Sequence, residues 1–151
     1  MAIRIVNEQF EWRIAEDGKN LGFFERKTGS NYLLMAAHSS CACVKKGVWR
    51  VDATSVEFAD GVLSYTFGDV ACARIAVEIT KGYAVFTVQE VDGDFDELDF
   101  INIPTSLKAE PDVPFGACTI ALSLKSNVEE LPGPQECLWT AAYKRFGFEG
   151  I

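Results

Sequence analysis

The stretch that decides the fold is residues 74–90, RIAVEITKGYAVFTVQE. Apolar side chains recur there at every second position, at Ile75, Val77 and Ile79 and again at Ala84, Phe86 and Val88. A period of two is that of a β-strand whose alternate side chains face the same side. Lys81-Gly82 stands between the two runs, where the chain has to reverse. The stretch therefore predicts an antiparallel hairpin.

The same pattern continues along the chain in both directions. Asp60-Gly61 separates alternating runs at 56–58 and 63–67, and Asp17-Gly18 separates 10–15 from 21–26. Asp-Gly is a favoured two-residue hairpin turn. A third turn cluster at 28–31 precedes a strand at 32–35, and further strands are predicted at 42–52, 97–107 and 117–125.

Closely spaced turns, with almost no apolar residues at the spacing of a helix, are typical of an all-β sandwich or barrel. A parallel α/β fold would need crossover connections of about a dozen residues, usually helices, and the spacing leaves no room for them. We therefore expect an all-β fold, an antiparallel β-sandwich over residues 1–131.

The C-terminal segment, residues 132–151, differs in pattern from the rest. Pro132 and Pro134 interrupt the chain, and beyond them Trp139, Tyr143 and Phe146 follow the i, i+4, i+7 spacing of a helix. This spacing predicts a short helix from about 135 to 146. Its aromatic stripe would pack either on the sandwich or on a further domain.

The composition excludes several classes of protein. The chain has 151 residues, 48% hydrophobic and 24% charged, which is typical of one globular domain. A net charge of −8 repels phosphate groups, so we expect no nucleic-acid partner. No apolar run approaches the roughly 20 residues of a membrane span. The first residues show no apolar signal-peptide core, which leaves both a cytosolic location and a removed signal open.

Most of the negative charge lies in residues 86–115, which contain eight acidic residues and one basic residue. Asp92, Asp94 and Asp96 alternate as the first three ligands of a calcium loop do. However, Glu97 stands where that motif has its glycine, and Ile103 where it has a bidentate glutamate. A solvated loop is therefore the favoured interpretation. We expect no cofactor, and calcium at these three carboxylates is the alternative.

The thiols and the single histidine offer little chemistry. The chain has five cysteines without a CxxC spacing, and His38 is its only histidine. His38, Cys41 and Cys43 could supply three zinc ligands, but buried thiols acting as small apolar side chains are the favoured interpretation. His38 lies outside any nucleophile-elbow motif, so no catalytic residue is predicted.

Aromatic side chains are the remaining candidates for binding. Sugars expose apolar C–H faces that stack on Trp and Tyr rings, while polar neighbours bind their hydroxyl groups. Tyr32, Trp49 and Trp139 are the candidate carbohydrate-binding residues. For each of them, packing in the core is the competing explanation.

Two stretches carry a resemblance to a known family. Residues 10–32, ending in ERKTGSNY at 25–32, resemble the opening strands of the galactose-mutarotase-like supersandwich domains that precede the catalytic domain in many bacterial glycoside hydrolases. ERKTGSNY is similar to the family's D-(K/R)-x-T-G-x-x-(Y/W) element, with Glu25 in place of Asp. Residues 143–151, YKRFGFEGI, resemble the junction to the downstream domain.

The resemblance implies a non-catalytic accessory domain of a larger carbohydrate-active enzyme. Its partners would be the downstream domain of the same polypeptide and, weakly, carbohydrate. Mutarotases use a Glu base with two histidines, and one histidine cannot fill both places, so epimerase activity is not expected. The alternatives are a self-standing carbohydrate-binding module, a small glycoside hydrolase that uses the acidic cluster at 92–99, and a protein-interaction sandwich unrelated to sugars.

Overall fold

The computed structural model describes residues 2–34, 39–108, 110–128 and 137–151. Within these ranges the chain forms twelve strands and one 3₁₀ turn, Lys144–Phe146. The strands are β1 (Ile3–Val6), β2 (Phe10–Ile14), β3 (Asn20–Glu25), β4 (Cys43–Lys46), β5 (Trp49–Asp52), β6 (Ser55–Ala59), β7 (Val62–Phe67), β8 (Ala71–Ile79), β9 (Ala84–Gly93), β10 (Glu97–Pro104), β11 (Ser126–Val128) and β12 (Cys137–Tyr143).

The strands form three antiparallel sheets in a sandwich-like arrangement. Their orders are β1-β2-β3, β6-β7-β8-β9 and β11-β12-β10-β4-β5. Single bridges at Lys19–Ser40 and Leu33–Thr105 connect segments outside the named strands. The prediction of an all-β antiparallel sandwich is confirmed.

The three predicted hairpins are present. β8 and β9 pair along nearly their whole length, from Ala71–Gly93 to Ile79–Ala84, with one irregularity after Arg74. At the β6–β7 turn, Asp60 and Gly61 have φ angles of 51° and 75°. Positive φ at both central residues is what the turn of a tight hairpin requires, which explains the Asp-Gly pair. β2 and β3 form the third hairpin.

The other strand predictions have mixed outcomes. Residues 42–52 form two strands, β4 and β5, joined at Gly47-Val48, and 97–107 contains β10. The strand predicted at 117–125 is wrong, because that stretch forms no ladder with any other described part of the chain. At 32–35 only Leu33 forms a bridge, and Met35 lies outside the described residues. β1 was not predicted.

The predicted helix over 135–146 is also wrong. Residues 137–143 form β12, an interior strand between β10 and β11, and only Lys144–Phe146 makes a 3₁₀ turn. The aromatic spacing that suggested a helix coexists with a period of two, in which Leu138 and Ala142 face the core. Pairing with two neighbouring strands and burial of that face outweigh the local helical spacing. The breaker residues at 131–134 lie outside the described ranges.

The core lies between the inner faces of the sheets. Its largest fully buried side chains are Trp12, Tyr65 and Phe67. The hydroxyl of Tyr65 donates to the carbonyl of Phe100 at 3.2 Å, and the Trp12 indole N–H donates to Asn20 at 2.7 Å, so their polar atoms are paired. Aromatic side chains with paired polar groups are well suited to a close-packed interior.

Candidate functional site

The outer face of the five-stranded sheet carries a cluster of polar groups, which we call the Lys45 cluster: Cys43, Lys45, Glu97, Asp99 and Trp139. β4 and β10 place them, because Glu97 lies opposite Lys45 and Asp99 opposite Cys43. Alternation along the strands sends the intervening Val44 and Leu98 into the core. Position in the sheet thus gathers these side chains on one face.

Lys45 is the centre of this cluster. Its Nζ lies 2.7 Å from Glu97 Oε1 and 2.8 Å from Asp99 Oδ2, and 5.9 Å from the centre of the Trp139 ring. The Cys43 thiol donates a hydrogen bond of 3.3 Å to the same Asp99 oxygen. Asp99 is only 3% exposed, and its second oxygen, Oδ1, has no hydrogen-bond partner within the described ranges.

The cluster shifts the proton affinities of its members. Burial raises the pKa of Glu97, and the adjacent carboxyl of Asp99 adds to this, against the opposing effect of Lys45. Burial alone would lower the pKa of Lys45, but hydrogen bonds to Asp99 and Glu97 outweigh it and raise that pKa. Burial, together with Asp99, raises the pKa of the Cys43 thiol to about 12. The thiol is therefore protonated at neutral pH and is not a nucleophile.

This arrangement combines three kinds of binding group. Glu97 accepts hydrogen bonds, Lys45 donates them, and the half-buried Trp139 offers part of a ring face. Such a combination suits a polyhydroxylated molecule, whose C–H face stacks on an aromatic ring while its hydroxyl groups meet charged partners.

The three predicted carbohydrate-binding aromatics lie in different settings. Trp139 belongs to the Lys45 cluster, whereas Trp49 is 74% exposed at the β4–β5 turn. Tyr32 stacks on Phe115 with ring centres 5.4 Å apart, so one of its faces is already occupied. The three therefore do not form one platform, and each remains a separate candidate.

The three candidate calcium ligands each contact different partners. Asp94 is bound by Lys46 and by Lys144, the latter at 2.9 Å, and these hydrogen bonds lower its pKa to about 2. Asp92 pairs with Cys72 in the β8–β9 ladder, and the backbone N–H of Asp96 donates to the carbonyl of Lys45. No group of three metal-binding side chains occurs in the described parts of the chain. Calcium at this loop stays the alternative to the expected solvated loop.

The thiol candidates can be placed only in part. Cys41 and Cys43 are completely buried, and burial raises the pKa of both thiols. His38, the third zinc candidate, lies outside the described residues. Cys41 packs in the apolar core as a small side chain does, whereas Cys43 belongs to the Lys45 cluster.

A second feature is a cleft of about 770 Å³ on the inner side of the same sheet, which we call the inner cleft. Its walls come from β9, β10, β12 and the segment 114–123. They include the rings of Phe10, Phe23, Phe86, Phe100 and Phe115. None of the described residues that line it has a charged side chain.

Sequence reasoning identified the acids of the Lys45 cluster only as members of an acidic run, and it missed Lys45. The alternation of 97–104 could have placed Glu97 and Asp99 on one face. Their pairing with β4 is a long-range contact that no local pattern contains.

Comparison with known protein families, curated proteins and solved structures found no match. Within the described residues, no helix is both long and apolar enough to cross a membrane.

Proposed function

We propose that this chain is a non-catalytic accessory β-sandwich domain of a larger carbohydrate-active protein, and that it makes weak carbohydrate contact through the Lys45 cluster. The observation that carries the proposal is the Trp139 ring beside Lys45, which itself bridges Glu97 and Asp99. A sugar can stack on the ring and exchange hydrogen bonds with the flanking charges.

A structural role beside another domain has separate support. Ile120, Leu122 and Leu124 are large apolar side chains that are mostly exposed at alternate positions of one segment. Clustered exposed apolar side chains are typical of surfaces that contact a protein partner. This supports a neighbouring domain of the same polypeptide as the partner.

The absence of turnover is proposed on chemical grounds. Lys45 holds both carboxylates of the cluster, and the Cys43 thiol is protonated at neutral pH. A nucleophile or general base in this position would first have to be released from its partner.

Saccharide titration followed by NMR tests the proposal. We expect small, saturable shifts of the Trp139 indole signal with at least one member of a panel of neutral oligosaccharides. Trp139→Ala should abolish them, while Trp49→Ala serves as the control for an exposed tryptophan outside the cluster. If Trp139→Ala alters the fold, Glu97→Gln should still weaken the shifts.

Other results would contradict this assignment. Loss of binding only in Trp49→Ala would move the contact to the β4–β5 turn, as in a self-standing carbohydrate-binding module. No shift with any sugar would remove the carbohydrate part of the proposal.

A small glycoside hydrolase is the second candidate, favoured by one observation. The pKa of Glu97 is raised beside the carboxylate of Asp99, as a general acid paired with a second carboxylate requires. Release of nitrophenol from aryl glycosides by the isolated chain, abolished by Glu97→Gln but retained in Glu57→Gln, would establish this alternative. We expect no release.

A further inference from the structure

The first half of β9, residues 84–87, forms an unprotected edge of the four-stranded sheet. It adjoins the inner cleft, because all four residues belong to the lining of that cleft. Their sequence, AVFT, contains neither a charged residue nor a proline, which are two of the usual means of keeping an edge strand from pairing with another chain. The other edge strands are either only three residues long (β11) or carry a charged side chain, namely Arg4 in β1, Glu25 in β3, Arg50 in β5 and Glu57 in β6.

The orientation of the backbone along this edge follows from the end of β9 that is paired. The N–H of Val88 donates to the carbonyl of Ile151 at 2.7 Å, and the carbonyl of Val88 accepts from the N–H of Gly150 at 2.8 Å. Both backbone groups of Val88 therefore face away from β8. This direction alternates along an antiparallel pair, so the backbone groups of Phe86 and Ala84 also face away from β8.

The hydrogen bonds of β8 agree with this orientation. Val77 lies opposite Phe86 and donates its own N–H to the carbonyl of Gly61 at 2.7 Å, on the side away from β9. The N–H and C=O groups of Ala84 and Phe86 make no hydrogen bond with any described residue. Four backbone groups at this edge are therefore available to a further strand.

Gly150 and Ile151 already occupy the first position of such a strand. Both lie opposite Val88, and Gly150 has a φ of 77°, which is the geometry of an antiparallel β-bulge with glycine as its first residue. A segment in line with these two residues would run antiparallel to β9 and reach Ala84. The hydrogen-bonding pattern that begins at Val88 thus specifies both the kind of occupant and its direction.

The side chains of the occupant are restricted by the face that they would meet. Residues directly opposite each other in an antiparallel pair point to the same side of the sheet, so those opposite Ala84 and Phe86 would share the side of these two side chains. The Phe86 ring packs against the buried Trp12 with ring centres 6.1 Å apart. None of the described residues that line the cleft has a charged side chain. Apolar side chains at alternate positions therefore suit this edge.

We propose that the open edge of β9 binds an extended segment of a partner polypeptide as an additional antiparallel strand, with apolar side chains at alternate positions. Main-chain hydrogen bonds to Ala84 and Phe86 supply affinity, and the apolar side of the cleft selects the side chains, as in other cases of strand addition. The edge belongs to the four-stranded sheet and the Lys45 cluster to the five-stranded sheet, so the proposal does not depend on carbohydrate contact.

Amide hydrogen exchange followed by NMR, with the acetylated and amidated peptide KVTVTVK as the probe, tests the pairing. In the free chain the amides of Ala84 and Phe86 should exchange fast, whereas those of Val85 and Thr87, which face β8, should exchange slowly. Saturation with the peptide should slow exchange at Ala84 and Phe86 by at least about tenfold, because these amides become hydrogen-bonded. Val85 and Thr87 are the internal controls. No change at Ala84 and Phe86 would overturn the proposal.

Two methylated peptides separate strand pairing from unspecific apolar contact. N-methylation of the central valine removes an N–H that faces β9 and should lower the affinity at least about tenfold, since a hydrogen bond is lost and the methyl group meets the edge. N-methylation of a threonine, whose N–H faces away from β9, should have little effect. Equal affinity of the two methylated peptides would contradict the proposal.

Ala84→Pro tests the same edge from the side of the protein. It removes one N–H that does not face β8, and proline is tolerated at such edge positions, so peptide binding should weaken while the melting temperature stays unchanged. If this variant fails to fold, the methylated peptides decide. Trp139→Ala should bind the peptide as the unmodified chain does, so failure of this site and failure of the carbohydrate contact can be recognised separately.

The free chain supplies a last criterion. Slow exchange of the Ala84 and Phe86 amides without peptide would overturn the proposal, because the edge would already be occupied. If sedimentation then showed a dimer, the occupant would be a second copy of this chain.

Discussion

Two charge clusters on different sheets have opposite compositions. In the three-stranded sheet, Glu11 is buried among three half-exposed arginines: Arg4 and Arg13 each contact it at 2.6 Å, and Arg26 at 3.8 Å. In the five-stranded sheet one lysine, Lys45, holds two carboxylates.

The two clusters differ in which of their charged atoms remain unpaired. The arginines around Glu11 neutralise its buried charge and reach solvent with their own. In the Lys45 cluster two acids share one ammonium, with a further attraction between Asp99 and Arg50 of β5, and a buried oxygen of Asp99 lacks a partner within the described ranges. The first cluster is saturated and its role is structural. The second leaves a buried carboxylate oxygen unpaired, and it is the cluster through which we propose the carbohydrate contact.

Removal of the lysine should have the largest effect. Lys45→Met leaves the buried Asp99 without its ammonium, and a buried charge that loses its partner costs about 3 kcal/mol. Urea unfolding at pH 7 measures this loss. Lys46→Met is the matched control, because Lys46 pairs with the exposed Asp94 and its removal should have no measurable effect. Equal losses of stability in the two variants would contradict the argument that the burial of Asp99 makes its ion pair costly to break.

Removal of the acid from the saturated cluster should cost less. Glu11→Gln removes charge-assisted hydrogen bonds, but the arginines left behind can be hydrated, so we expect a loss of about 2 kcal/mol at pH 7.

The stabilisation by Glu11 should depend on pH in a definite direction. Hydrogen bonds from Arg13 and then Arg4 lower the pKa of Glu11 from 4.5 to about 2. The contribution is therefore complete above pH 4.5 and is lost as pH falls from 4.5 to 2. Unfolding at pH 7, 4 and 3 should show the variant approaching the unmodified chain. Glu57→Gln on β6 is the control, and a constant gap across this range would contradict the assignment.

The two clusters also show what the sequence could and could not reveal. Period-two patterns and Asp-Gly turns predicted the local hairpins, β2–β3, β6–β7 and β8–β9, because each depends on neighbouring residues. The pairing of β10 with β4 joins residues more than fifty positions apart, and the sequence contains no local signal for it. The same limit explains the error at 137–143, where two distant neighbours impose a strand on a helical spacing.

Replacement of Glu97 should have a smaller effect of opposite sign. Burial and Asp99 raise its pKa, so the folded chain holds this proton more tightly than the unfolded chain does. Stability from this group is therefore complete below pH 4.5 and falls as pH rises through the raised pKa. Glu97→Gln should remove that fall and be about 0.5 kcal/mol more stable at pH 7, but equal near pH 4. A variant less stable at pH 7 would show that the hydrogen bond to Lys45 outweighs the repulsion.

The smallest effect is expected at Asp94, which has two lysine partners but lies in solvent. Hydrogen bonds from Lys144 and then Lys46 lower its pKa to about 2, yet water and salt screen exposed pairs. Asp94→Asn should therefore leave the melting temperature unchanged at physiological salt.

Asp94→Asn also tests whether the acidic loop binds calcium. Because Lys46 and Lys144 already neutralise Asp94, a calcium ion would have to displace both, and we expect no rise of the melting temperature on adding calcium chloride. A calcium-dependent rise in the unmodified chain that is absent in Asp94→Asn would show that the alternating carboxylates bind the ion after all. In that case the acidic loop would bind a ligand in addition to forming its own ion pairs.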